Sequence, residues 1–420
     1  MTDSALSQIE DIDVDINAQE VLLAASQHDI PRLRQLIRSN ETRDNLANAK
    51  DPETGYTPLH AAIAACEPDA EAEDERSKKT NGELGVTDAA LDVTEAAQET
   101  VKFLLQEGAI WNDLDANDET PGCLARRLGL SKLYELMVDA GVRAELLLNR
   151  LDEYEPLVDE DEEQDGEGEQ DAPNGVNDGD ATTQTHEQQN VEQSQHNADE
   201  DAVTNSRYLQ SNLSFEDHRL LDEDKNGVMM SWETEIMAKS AKALLPTAGL
   251  RILNIGHGMG IVDGLIQDLQ PSFHHIVEAH PSVLAEMKSK GWYEKSGVVV
   301  HEGKWQDILP KLIDEGVTFD AIYYDTFAES YADFRRFFSE HVIGLLEPGG
   351  RWSFFNGMGA DRQISYDVYQ KVVEIDLLEA GFDVEWEDIK IPSLENEWTG
   401  VRRKYWVVDN YRLPVCKYMD

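Results

Sequence analysis

Three cysteines in 420 residues (Cys66, Cys123, Cys416) are too few and too scattered for a disulfide framework or a cysteine-spaced metal site. A reducing compartment and no bound metal are therefore expected. No apolar run approaches the ~18 residues of a membrane-spanning helix. No apolar segment follows the first residues either, so neither a span nor a secretion signal is expected. Basic residues are also scarce, with 36 Lys and Arg against 84 Asp and Glu and a formal charge of −48. Such a surface repels nucleic acid and anionic membrane and attracts a basic protein. The scarcity is complete from Leu151 to Ser206, where there is no Lys or Arg at all. Apolar residues there are too sparse to offset chain entropy, so 151–206 reads as an acidic disordered tether. A solvated spacer is the plain reading; attraction of a basic substrate is the sharper one.

What is present falls into two unlike halves. Residues 1–17 are polar and read as disordered. Residues 18–150 read as an all-α unit, beginning with two short helices joined at Asp29-Ile30-Pro31. The run Gly55-Tyr56-Thr57-Pro58-Leu59-His60-Ala61-Ala62 carries the residues of an ankyrin repeat, with Thr57 as helix cap and Pro58 in the first turn. A segment resembling a second repeat helix runs from Val101 to Ala109. A further unit starts at Thr120-Pro121, where Gly122-Cys123 replaces the usual Leu-His and makes that copy degenerate. An acidic insertion at 67–100 separates the first pieces, with helix expected from Thr87 to Gln98. About three units is near the minimum for a stable stack. His60 reads as a turn-stabilising residue, and the unit as a protein-docking surface.

From 207 to 420, strand-like runs at 251–255, 274–278, 297–301, 319–324, 350–355, 382–389 and 403–409 alternate with helical segments. That order predicts a mostly parallel seven-stranded sheet covered by helices, with an antiparallel last strand. The stretch Ile252 to Gly264 organises this half. An apolar strand stops at Gly256-His257-Gly258-Met259-Gly260 and a helix follows, so backbone N–H groups can approach a ligand. The glycines alone are weak evidence. Eighteen residues after Gly260, however, a second apolar strand ends in Glu278, where doubly wound nucleotide folds hold a ribose diol. Trp305-Gln306 then supplies an aromatic ring and an amide suited to adenine. Ala321 to Asp325 is a buried strand ending in an acid, and Pro348-Gly349-Gly350 leads into another strand. The order fits S-adenosylmethionine better than a dinucleotide and looks like the Rossmann-like (class I) methyltransferases.

Ahead of the glycine loop, Met229, Glu233 and Met237 are spaced to share one helical face. Read plainly, this is an amphipathic helix with methionine gap-fillers. The segment Met229 to Met237 nevertheless resembles the helix leading into guanidinoacetate methyltransferase. The likeness continues through Gly256 to Met259, Ile276 to Glu278, Trp305 to Asp307, Tyr324 to Thr326 and Pro348 to Gly350. Together with the ankyrin-like unit and the acidic tether, the whole resembles the protein arginine N-methyltransferase 2 family. The resemblance implies methylation of the internal (δ, N5) nitrogen of arginine in a large-subunit ribosomal protein. It implies S-adenosylmethionine contacts from Tyr208, Met237, Gly256, His257, Gly258, Met259, Gly260, Ile261, Val262, Glu278, Ala279, His280, Trp305, Gln306 and Asp325. Glu233 and Asp325 become the guanidinium-binding acids. It also implies a monomer with cytoplasmic and nuclear location. Asn254 departs from the pattern, standing where many methyltransferases carry an acid, and weaker bracing of the loop is the expected result.

The chemistry asks for such acids on its own terms. A guanidinium is planar, cationic and a poor nucleophile. Two carboxylates from different elements can hold its terminal nitrogens by paired hydrogen bonds and leave the third freer to attack. Two competing readings stand at this point: a small-molecule guanidino methyltransferase, and an ankyrin scaffold with an inactive methyltransferase domain.

Overall fold

The computed structural model describes residues 16–39, 45–67, 88–151 and 204–419. Of the segment expected to be disordered at 1–17, residues 1–15 lie outside the described residues, as do most of the 67–100 insertion and nearly all of the 151–206 tether, while Ile16 and Asn17 are helical.

In the first half, α1 (Ile16–Ser26) and α2 (Ile30–Arg38) meet at Asp29, whose carboxylate accepts from the N–H of Arg32 at 3.0 Å. Helix α3 (Pro58–Ala64) opens on Thr57 and α5 (Pro121–Arg127) on Thr120, both at the Thr-Pro pairs read as helix starts. Between them α4 (Asp88–Gln106) is one helix, so the helical part of the insertion and the segment read as a second repeat helix are continuous. His60 is fully buried: Nδ1 accepts from the Thr57 N–H at 3.2 Å, and Nε2 lies 3.0 Å from the Glu119 carbonyl. One neutral tautomer serves both contacts and ties α3 to the turn before α5.

Helix α6 (Ser131–Leu151) closes this half against α11 (Gln363–Glu379) of the second. The two pack into one apolar cluster containing Leu133, Met137, Ile364, Val368 and Val372. Close approach there requires glycine. A Cβ on Gly122 would lie 1.8 Å from Ile364 Cδ1, and one on Gly141 would lie 2.6 Å from Val368 Cγ2. At the rim Tyr134 donates to Asp367 (2.6 Å) and Tyr369 donates to Glu145 (3.0 Å).

The second half begins with an antiparallel meander, β1 (Ser214–Glu216), β2 (Arg219–Leu221) and β3 (Gly227–Met230), that the sequence pattern did not suggest. It also corrects a sequence expectation: Met229 pairs with Leu220 inside β3, so Met229, Glu233 and Met237 do not share a helix. Helix α7 starts only at Thr234 and runs to Leu244. Then come β4 (Arg251–Ile255), α8 (Ile261–Asp268), β5 (Phe273–Glu278), α9 (Pro281–Ser289), β6 (Val298–Glu302), α10 (Trp305–Asp314), β7 (Phe319–Tyr324) and β8 (Leu346–Phe354). After α11 follow β9 (Phe382–Lys390) and β10 (Asn410–Tyr418). The sheet order is β6-β5-β4-β7-β8-β10-β9, and β10 runs antiparallel to both neighbours. This is a Rossmann-like sheet. The last strand lies seven residues beyond its expected start at 403. Trp406 and Val408 have strand-forming side chains but are spent as a plug: both are buried, and the Trp406 indole N–H donates to the Val408 carbonyl at 2.7 Å.

Chain order reverses between β4 and β7, which places a crevice at their carboxyl ends. Gly256 and Asp325 leave the sheet there side by side.

Candidate active site

Asp325 is held at the switch point by its own backbone, whose N–H donates to the Ile255 carbonyl at 2.8 Å. Gly256 crosses so close that a Cβ would lie 1.8 Å from the Asp325 carbonyl oxygen, and its φ of 93° suits only glycine. The glycine loop and the acid are thus one turn-on-turn contact. They border a cavity of about 250 Å³. Its lining includes Gly256, Gly258, Glu278, Ala279 and Gly303 together with the acids Glu233 and Asp325 and the hydroxyl-bearing Tyr405.

Glu278 organises the glycine loop. One carboxylate oxygen accepts from the N–H groups of His257 (2.8 Å) and Gly258 (3.4 Å), the other from Ala279 (2.8 Å) and His280 (2.7 Å). The acid at the end of β5 therefore shapes the glycine loop by its own hydrogen bonds. His280 in turn bonds the Tyr208 carbonyl at 2.9 Å, which seats Tyr208 against the cavity wall.

The loop is braced from beneath by a buried polar cluster. Asp263, in the first turn of α8, is fully buried between His257 Nδ1 (2.6 Å) and His274 Nε2 (2.9 Å). Asn254 Nδ2 donates to Asp263 at 2.8 Å and to the Gly256 carbonyl at 2.8 Å. Asn254 thus does not weaken the loop as expected; its amide ties the loop to a carboxylate supplied from the helix. Burial alone would raise the Asp263 carboxyl, but the two imidazoles overcome it and hold the group below the usual carboxylate range.

The two acids Glu233 and Asp325 have no ion-pair partner among the described residues. Burial pushes the Asp325 carboxyl up to about 7, with the charge of Asp263 adding to it, and its Oδ2 is buried without a partner. Glu233, only 2% exposed, is held well above the usual carboxylate range by burial first and then by Asp325. Its Oε1 accepts from the Met230 N–H at 3.2 Å and from the hydroxyl of Tyr405. Two buried acids on different elements, both favouring their protonated forms, thus line one cavity.

Of the residues the resemblance implied, Tyr208, Glu233, Gly256, Gly258, Glu278, Ala279, Trp305 and Asp325 border this cavity. Met237, Met259, Ile261 and Val262 pack instead in the apolar cluster under the loop. His257, Gly260 and His280 hold the loop from behind through the contacts just described and the Gly260 N–H, which bonds the His257 carbonyl at 2.7 Å. Gln306 turns its amide to Glu329 at 3.3 Å. Trp305 is nearly buried; its indole N–H donates to Glu329 at 2.9 Å, and its ring meets Tyr324 and Phe337 edge-on. Three residues escaped the sequence reading. Glu329 accepts from Trp305, Gln306, Tyr324 and Thr326 and so fixes the loop after β7. Tyr405 lies 172 residues from the glutamate it orients. Asp263 could have been found as an acid in the turn directly after the glycines.

Comparison with known proteins points the same way. Residues 197–415 match the guanidinoacetate N-methyltransferase family. The chain is 68% identical over 418 residues to Protein arginine N-methyltransferase 2 of Aspergillus fumigatus, covering 97% of each chain. It is 67% identical to the protein of that name from Emericella nidulans, covering 98% of this chain and 99% of that one. With the Gibberella zeae protein of the same name it shares 47% identity, over 93% and 90% of the two chains.

Proposed function

This chain belongs to the protein arginine N-methyltransferase 2 family, and we propose that it methylates the δ (N5) nitrogen of an arginine in a protein, using S-adenosylmethionine. A large-subunit ribosomal protein is the substrate expected. The observation that carries this reading is the pair Glu233 and Asp325: two buried, cation-seeking acids on separate elements that share one cavity with the glycine loop.

The glycine loop fits the cofactor. Gly256 and Gly258 leave the floor free of side chains, and Glu278 stands at the end of β5. Its weakest partner, the Gly258 N–H at 3.4 Å, is the one a ribose hydroxyl would displace. When bound, S-adenosylmethionine supplies an electrophilic methyl carbon on a sulfonium. The residues of the chain do the rest. Glu233 and Asp325, once ionised, pair with the terminal nitrogens of the guanidinium and fix its plane. Localising charge on those nitrogens leaves the internal one freer to attack, and alignment supplies much of the rate. Asp325, with its unpartnered Oδ2, accepts the departing proton. Tyr405 keeps the Glu233 carboxyl turned into the cavity. The N-terminal helical unit, read as ankyrin-like, would dock a protein.

The match of residues 197–415 to guanidinoacetate N-methyltransferases favours a second reading, a free guanidino acid as substrate. One assay separates the two. Protein and labelled S-adenosylmethionine are offered a ribosomal protein fraction and guanidinoacetate, and the products are fragmented in a mass spectrometer. Label on the internal nitrogen of a peptidyl arginine supports the proposal. Label on guanidinoacetate alone moves the enzyme to small-molecule chemistry, and label on neither leaves a scaffold.

A further inference from the structure

A second cavity, of about 220 Å³, abuts the first at Tyr405. Phe327, Ala328, Gly357 and Tyr405 line both, so the partition is the tyrosine that bonds Glu233 together with small or apolar neighbours. Glu278 ends β5 and Asp325 follows β7, the strands on either side of β4. Whatever extends past Tyr405 from a guanidinium held by Glu233 meets this second space.

Its lining is unusual for this chain. Gly227, Gly357, Gly359 and Ala360 line it without bulky side chains, and the polar residues are Asn226, Asp361, Arg403, Lys404 and Tyr405. Arg403 and Lys404 are exposed and make no ion pair among the described residues, although acids outnumber bases 84 to 36 in the whole chain. Arg403 is anchored at its backbone, where its carbonyl accepts from the Gly227 N–H at 3.5 Å. Arginine and lysine can only donate, and an ionised aspartate can only accept. A polypeptide main chain offers both complements, carbonyl oxygens for the two cations and N–H groups for Asp361. Glycine walls let such a chain lie close.

We propose that this second cavity is the subsite for the polypeptide flanking the target arginine, with Arg403 and Lys404 donating to its carbonyl oxygens. This rests on the reading of the first cavity as a guanidinium site.

The test compares two substrates on two enzymes. The substrates are a capped single arginine (N-acetylarginine N-methylamide) and a longer peptide cut from the protein labelled in the assay above. The enzymes are the full chain and its Arg403→Ala/Lys404→Ala variant. The expected result is a preference of the full chain for the peptide in kcat/KM, and a loss of about tenfold in that preference in the double variant, as for one or two charge-assisted hydrogen bonds. No preference in the full chain, or one that survives the double substitution, overturns the subsite while leaving arginine methylation standing. Turnover of guanidinoacetate with no peptide or protein labelled overturns both.

Discussion

Gly122 faces Ile364 across the junction of the two halves, at a distance that leaves no room for a β-carbon: 1.8 Å from the built Cβ position to Ile364 Cδ1. In the sequence this glycine looked like decay of a repeat, because it stands where leucine is usual. In the structure it is the point at which α11 enters the helical unit. Gly122→Leu is expected to cost about 1–3 kcal/mol through overpacking. Thermal unfolding should show one transition moved to lower temperature, because the two halves share an apolar cluster. An unchanged melting curve would refute the close packing described for this junction.

The buried Asp325 makes a prediction of opposite sign. Its carboxyl titrates at about 7 in the folded chain against an ordinary value of 3.8, so the folded state binds the proton more tightly. The stability this brings is full below the ordinary value and is lost as pH rises through about 7. Asp325→Asn should therefore be more stable than the parent at pH 8, by on the order of a few kcal/mol, and the gap should narrow as pH falls below about 7 and close near the ordinary carboxylate value. The same substitution should abolish turnover. A variant less stable than the parent at pH 8 would mean that Asp325 is not an uncompensated acid.

How much of this was legible beforehand follows from the range of the interactions. Strands β4, β5 and β7 are buried on both faces and read as apolar runs, and the glycine loop and Glu278 stand at their ends, so all were visible. The meander was not, because its strands are three or four residues long and partly exposed. The last strand was misplaced because Trp406, Val407 and Val408 look more strand-like than a segment containing Pro414. Glu329, Tyr405 and the cluster of Asp263 with His274 act through contacts between separate elements, which no local pattern records.

That cluster carries its own test. Asp263 is a buried anion between two imidazoles, its carboxyl held below the usual range, so its contribution is present above the ordinary carboxylate value and lost only as pH falls through the depressed one. Asp263→Asn removes the charge and presents an amide to His257. A loss of about 3 kcal/mol at pH 7 is expected, as for a broken buried pair. Because Asp263 and Asn254 hold the loop, S-adenosylmethionine binding by calorimetry should weaken at least tenfold. Full cofactor affinity in this variant would show that the loop keeps its shape without the brace.

Glu233 and Tyr405 allow a separation of chemistry from binding. Glu233→Gln keeps the shape but cannot pair as an anion with a guanidinium. Turnover should fall by roughly 10²–10³, the usual loss when a preorganised charge partner is removed, while cofactor affinity stays within a few-fold. Equal loss of both would remove Glu233 from its assigned role. Tyr405→Phe is subtler. The tyrosine hydroxyl is one of two donors that lower the Glu233 carboxyl against its burial. Without it the carboxyl should ionise only at still higher pH, so the rising limb of kcat/KM for the arginine substrate should move to higher pH. Activity should be depressed about tenfold near pH 7 and recover at alkaline pH. A tyrosine that merely fills space would lower the whole profile without shifting it, which makes the displacement of the limb, rather than the loss of rate, the deciding observation.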